Sequence, residues 1–203
     1  MSTTAAAARV PGPGLRERKK ARTRASIQAH ALRLFRAQGY DATTIEQITE
    51  AAEVSETTLF RYFPTKESLV LSDDYDPRLV EAFQAQPEDA APLRAMRAAF
   101  HEVFGGLSAE ERESQRERVA LILAVPALRA GLLGQFADAM RLLAGAFAGR
   151  TGRRPDDFAV RTIAGAVMGV MFAVLEELAE DPGADIAELI DTAMAQLEGG
   201  LAG

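Results

Sequence analysis

Between Gly39 and Leu69 the chain reads GYDATTIEQITEAAEVSETTLFRYFPTKESL, and its apolar residues keep helical spacing. Ile45, Ile48 and Ala52 share one side of a helix that Thr44 can cap, and Gln47, three residues on, completes a capping box. Glu53 and Val54 form a tight turn. Ser55 then caps a second short helix that carries Leu59 and Phe63 inward. Pro64 stops it, because the residue before a proline disfavours helical backbone angles. Thr65 is expected to cap a further helix with Glu67 in its first turn. Upstream, Ile27, Ala31, Leu34 and Phe35 recur at i, i+4, i+7 and i+8, which gives a helix from about Thr23 to Gln38 ended by Gly39.

The helical period continues to the C-terminus, and alternating β-branched runs are absent. Asp76-Pro77 opens a helix with Leu79, Val80 and Phe83. Pro92 opens another, with Leu93, Met96, Phe100, Val103 and Phe104, ended by Gly105-Gly106. Ser108 and Glu111 form a capping box for a helix rich in Arg112, Arg116 and Arg118. Further helices are expected from Pro126 to about Ala148, from Pro155 to about Glu180, and from Asp185 to Leu197. Gly149 to Arg154 is expected as a loop.

A recognition helix that reads DNA has to be short, packed on its partner, and polar on its outer side. With Leu59 and Phe63 inward, Glu56, Thr57, Thr58, Arg61 and Tyr62 are left on the other faces. Threonines can meet base edges or thymine methyls, and Arg61 and Tyr62 can reach bases or phosphates. The helix starts at Thr44, Ser55 and Thr65 offer backbone N–H groups to phosphates. The plainer alternative is a three-helix bundle with a polar face. Charge bears on the choice. The net charge of −6 conceals eleven Lys/Arg against seven Asp/Glu in residues 1–70, and twelve against twenty-two in the rest. The densest basic cluster is Arg16, Arg18, Lys19, Lys20, Arg22 and Arg24, so a polyanion suits the front of the chain alone.

At this point the sequence resembles the tetracycline-repressor (TetR) family of regulators. The match is carried by Phe35, Gly39, Tyr40, Thr43-Thr44, Ile48, Ala51-Ala52, Val54-Ser55, Thr58-Leu59-Phe60, Tyr62-Phe63, Lys66-Glu67 and Leu69, within about Thr23 to Val70. The resemblance implies an all-α homodimer. Its N-terminal three-helix helix-turn-helix domain (15–71) would bind a palindromic double-stranded DNA operator. A larger helical domain (72–203) would dimerise and bind a small-molecule effector that releases the DNA. Met1 to Gly14, rich in Ala, Pro and Gly, is read as a disordered leader. By analogy Thr44, Tyr62 and Lys66 hold phosphates, Thr57, Thr58 and Arg61 are the candidates for base edges, and Arg22 and Arg24 flank the duplex; Ser55, at the start of the recognition helix, is counted with these DNA-binding residues. Two positions depart from the family pattern. Glu53 stands where a turn glycine is usual, and Phe60 where tyrosine is common.

For the effector pocket, the apolar candidates are Phe83, Met96, Phe100, Phe104, Ile122, Phe136, Met140, Phe147, Met168, Met171 and Phe172, with His101 as the unusual polar residue on its helix. Methionine and phenylalanine at helical spacing are equally the makings of a plain core. Arg112, Arg116, Arg118 and Arg129 could meet an anionic effector, although Glu110, Glu111, Glu113 and Glu117 among them suit a solvated, salt-bridged face. For the dimer, Gly165, Gly169 and Ala173 recur at i, i+4 and i+8 and admit a close backbone, within the subunit or across it. Ile186, Leu189, Ile190, Ala193 and Leu197 give the last helix a matching stripe.

Other classes are less well supported. The chain has no cysteine and two histidines, His30 and His101, and it lacks a Walker loop, a G-x-S-x-G elbow and H-E-x-x-H. No catalytic residue, metal or cofactor is expected. The apolar run Ile163–Leu175 is short for a membrane span, so a cytoplasmic protein without a membrane partner is expected. A helical small-molecule-binding protein or enzyme without DNA binding is the alternative.

Overall fold

The computed structural model describes residues 14–72 and 75–200, and all regular structure among them is helical. The helices are α1 (Leu15–Gln38), α2 (Ile45–Ala51), α3 (Glu56–Tyr62), α4 (Ser68–Leu71), α5 (Tyr75–Ala85), α6 (Pro92–Gly105), α7 (Ala109–Ala124), α8 (Pro126–Thr151), α9 (Phe158–Glu180) and α10 (Ile186–Gly199). The leader expected over 1–14 lies outside the described residues except for Gly14. The chain divides into two compact units, Met1–Leu69 and Val70–Gly203.

In the first unit, Ile27, Ala31 and Phe35 of α1, Ile48 of α2, and Leu59 with Phe63 at α3 form the buried core. Thr43 is buried too. Its hydroxyl donates to the Gly39 carbonyl at 2.8 Å and accepts from Gln38 Nε2 at 3.2 Å, so no polar atom is left orphaned there. Gln38 Nε2 also donates to Gln47 Oε1 at 2.7 Å, and that oxygen accepts the Thr44 N–H at 2.9 Å. The capping box thus ties the end of α1 to the start of α2.

The α2–α3 turn closes as a Schellman motif. The Val54 N–H donates to the Thr49 carbonyl at 3.0 Å and the Glu53 N–H to the Glu50 carbonyl at 3.2 Å. That geometry requires a left-handed residue between them, and Glu53 supplies it at φ 53°. A side chain there costs about 1–2 kcal/mol, partly offset by the extra chain entropy a glycine would lose. Glu53→Gly is therefore expected to raise stability by roughly 1 kcal/mol, read as a later midpoint in thermal or denaturant unfolding. An earlier midpoint would contradict the strain.

Four boundaries differ from the sequence expectation. α1 starts at Leu15 rather than Thr23, because its basic first turns contain no helix breaker. The Thr65 hydroxyl does accept the Ser68 N–H at 3.2 Å, but regular helix begins only at Ser68, so Glu67 precedes α4. α8 runs to Thr151, with Gly152 as its left-handed cap at φ 65°. α9 starts at Phe158 rather than Pro155, since Asp157 Oδ1, not a group at Pro155, accepts the Ala159 N–H at 2.8 Å.

In the second unit, α8 lies along α9, α10 packs on α6 and α9, α5 on α6 and α8, and α7 on α8 and α9. The Phe83 and Phe147 rings meet edge-on at 5.1 Å, and Phe100 stacks on Phe104 at 6.0 Å. The Arg150 guanidinium donates to the carbonyls of Phe83, Gln86 and Ala90 at 3.3–3.4 Å and to that of Pro87. One cation thereby gathers carbonyls from the end of α5 and from the loop that follows it. α7 and α8 meet at a 108° bend, with Pro126 in the first turn of α8, where its missing N–H is harmless. Contrary to expectation, α9 is long and apolar enough to cross a membrane. The helix extends well beyond Ile163–Leu175, and only 22% of its most apolar stretch is buried.

Candidate nucleic-acid interface

The outer surface of α3 follows from its inward anchors. Leu59 and Phe63 are fully buried, which turns Thr57 and Arg61 to the opposite side of the helix. Both are exposed, and Thr57 makes no hydrogen bond among the described residues. The Arg61 guanidinium sits 5.2 Å above the Tyr62 ring, which limits its wandering without consuming its donors. Ser55 is occupied differently. Its hydroxyl accepts the Thr58 N–H at 3.2 Å and meets the Thr58 hydroxyl at 3.0 Å. Ser55 and Thr58 therefore build the N-terminus of α3, while the Thr57 and Arg61 side chains stay exposed. Phe60 is 42% exposed on the flank of the same helix, an apolar contact point where a tyrosine hydroxyl was noted as missing.

The basic residues divide in the same way. Lys66 Nζ donates to the Tyr40 carbonyl at 2.6 Å and lies 4.4 Å above the Tyr40 ring. An ammonium has three donors, so this anchor leaves N–H groups for an anion. Thr44, exposed at the start of α2, accepts the Gln47 N–H at 3.2 Å. The Arg24 guanidinium stacks 4.9 Å from the Phe63 ring, which holds it against the core. Arg22, two residues before it, is fully at the surface. Thr57, Arg61, Lys66, Thr44 and Arg22 thus belong to one compact unit that presents hydroxyl, guanidinium and ammonium groups, the donor set for phosphates and base edges.

The body separates residues that the sequence grouped together. Phe83, Met96, Phe100, Phe104 and Ile122 are buried, whereas Phe136, Met140, Met168 and Met171 are half-buried. Phe172 is 47% exposed, its ring 5.9 Å from that of Phe136, so it faces outward rather than into an interior pocket. His101, a pocket candidate that suits a surface or satisfied core place better than a ligand contact, is exposed. It lies at the surface in an open polar cleft with Arg94, Arg97, Asp191 and Glu198. There Arg97 grips Asp191 in two bonds of 2.7 and 2.8 Å and holds that carboxyl below its usual range.

A cavity of about 340 Å³ lies between α7 and the end of α9, with walls of Val119, Leu123, Leu178 and Ile186 and with Gln115 and Arg116 as its polar residues. Ile186, expected on the dimer face, is among the residues that line this cavity. Gln115 was missed, although its place on the buried stripe of α7 with Val119 and Ile122 was a legible sign. Ile190 is buried inside the subunit and does not face outward. Gly169 and Ala173 are exposed, and Gly165, Leu189, Ala193 and Leu197 half-exposed. Beyond the backbone of α9 itself, nothing among the described residues comes within 4 Å of a Cβ built on Gly165 or Gly169, so no described residue uses the close approach those glycines permit.

Comparison with known proteins finds family matches in both parts of the chain. The family described as "Bacterial regulatory proteins, tetR family" matches residues 27–72, and the MftR C-terminal domain matches residues 90–202. The HTH-type transcriptional regulator TcmR of Streptomyces glaucescens is 37% identical over 82% of this chain and 77% of its own length. A protein of Mycobacterium tuberculosis named as a mycofactocin biosynthesis transcriptional regulator, MftR, is 27% identical over 91% of this chain and 93% of its own. Among solved structures, the Thermus thermophilus transcriptional repressor FadR in complex with lauroyl-CoA superposes with a TM-score of 0.53 at 25% identity, covering 89% of this chain and 95% of FadR.

Proposed function

The chain belongs to the TetR family of helix-turn-helix transcriptional regulators, and on that premise we propose that it is a cytoplasmic repressor. It binds a palindromic operator as a homodimer and lets go when a small amphipathic effector enters the body. The observation that carries the DNA half is the display on α3, where Thr57 and Arg61 project from a helix fixed by Leu59, Phe63 and the Ser55 cap. In this reading Thr57 and Arg61 meet base edges, Thr58 assists from beside the cap, and Thr44, Tyr62 and Lys66 take phosphates. Arg22 and Arg24 flank the duplex. The effector reading rests on the cavity between α7 and α9, whose apolar walls and Gln115 amide suit a tail with a polar end. The acyl chain of the lauroyl-CoA held by FadR is of that kind. Dimerisation rests on the uncovered glycine face of α9, which a second copy meets, with no membrane partner.

A duplex from the region upstream of its own gene should be retarded in a gel at modest salt, and a fatty acid or acyl thioester that raises the thermal midpoint should release it. Failure to bind any promoter-proximal palindrome would sink the proposal. Thr57→Ala or Arg61→Ala should cost about 1–3 kcal/mol at one or two base positions and relax preference there. Lys66→Gln should instead weaken binding evenly across sequences and flatten the salt dependence by about one unit of slope. Equal, sequence-blind losses from all three would refute that division. Since Lys66 also bonds the Tyr40 carbonyl, each variant is compared at matched folded fraction by circular dichroism.

A further inference from the structure

α1 carries more positive charge than its packing explains. Its buried side chains begin at Ile27, yet the helix starts at Leu15, about 18 Å earlier at the helical rise per residue. Every described side chain from Leu15 to Arg22 is exposed. Arg18, Lys19 and Arg22 line a groove together with Leu15, Thr23 and Ser26 of α1 and with Ala52 and Val54 from the α2–α3 turn. None of the three cationic head groups has a hydrogen bond or ion pair among the described residues. The lining itself holds three cations and no carboxylate, with Glu17 and Glu53 adjoining it in sequence.

Resting on the DNA-binding reading above, we infer that this groove is a second DNA-binding surface, which holds the sugar-phosphate backbone flanking the operator half-site. The chemistry fits that occupant. Spaced cations on long aliphatic stems match successive phosphates, and the Ser26 hydroxyl among the aliphatic Leu15, Ala52 and Val54 side chains adds a donor suited to phosphate or sugar. An anionic membrane fits less well, since the exposed turns lack the broad apolar face that an interfacial helix buries. The groove also belongs to the same compact unit as α3, so one duplex can serve both.

The test starts by selecting a duplex from a random library with the full native chain. Binding is then measured over 50–200 mM salt on that site with long and with trimmed flanks, for the native chain and for Arg18→Gln/Lys19→Gln. The double variant should bind more weakly on long flanks whatever the flanking sequence, with a salt slope flatter by about 2 per bound chain. The native advantage should then shrink roughly tenfold per bound chain between 50 and 200 mM. Trimming the flanks should cost the native chain affinity and leave the variant almost unchanged. The charge-keeping pair Arg18→Lys/Lys19→Arg should retain the native slope, which separates charge from any loss of helix. An unchanged slope in the glutamine variant, a loss that depends on flanking sequence, or a flat slope in the charge-keeping pair would each overturn the inference while leaving operator binding intact. Failure of the native chain to select any duplex would instead bring down the regulator reading itself.

Discussion

Replacing Gly169 with arginine is expected to leave a folded monomer that has lost most of its hold on the operator. Beyond the backbone of its own helix, no atom among the described residues lies within 4 Å of a Cβ at this position, so the substitution meets no clash there. It also removes a mid-helix glycine, which favours the helix by about 0.8–1 kcal/mol. Any loss must therefore come from something outside the subunit. The surface around it is unusually apolar for a free helix, with Phe172 at 47% and Phe158 at 78% exposure, and a second copy of the same face would bury a guanidinium without a partner. A palindrome gains its affinity from two linked half-sites, so separating the protomers should cost about 10²–10⁴ in operator affinity. Light scattering and a gel shift on the same preparation check both parts. A Gly169→Arg protein that remains a dimer, or a native chain that is monomeric at every concentration, would sink the proposed interface.

Phe147→Ala should lower the stability of the larger unit by about 3–5 kcal/mol, a large share of what a domain has to spare. Phe147 is fully buried, and its ring meets Phe83 edge-on at 5.1 Å. The other neighbour of Phe83 is the Arg150 guanidinium, 5.2 Å from its ring, which also ties the carbonyls at the end of α5. A void at Phe147 thus loosens both the aromatic pair and the cation that closes the helix end. Phe147→Leu keeps most of the volume and should cost less than about 1.5 kcal/mol. Denaturant midpoints of the two variants test the ordering, and equal losses would mean that packing at this site is not what holds the unit together.

The short helices were legible because their signals are local. The Thr44–Gln47 and Ser108–Glu111 boxes form as their spacing predicts, and Gly106, Asp181 and Asp185 fall at helix ends. A cap is decided within three or four residues, so sequence suffices. The start of α1 was misjudged because the apolar period fails before Ile27, although arginine, lysine and alanine are good helix formers without it. Thr65 gave a correct bond and a wrong boundary, since one capped turn need not continue as helix.

The sequence by itself determined that the chain is helical, where most helices begin, and that a capped helix, a turn and a second capped helix would present threonine and arginine outward. It also determined the charge split, because charge is a property of composition along the chain. Only the tertiary structure decided which of two equivalent-looking side chains is spent and which is free. Ser55 and Thr57 are both hydroxyl residues two positions apart, yet one closes a helix and the other faces outward. Lys66 is pinned on Tyr40, whereas Arg18 and Lys19 have no partner among the described residues. Ile190 and Leu189 are neighbours in one stripe, and a turn of 100° per residue buries the first and leaves the second half-exposed. Burial and partnership depend on groups brought together from distant parts of the chain, and no local spacing encodes them.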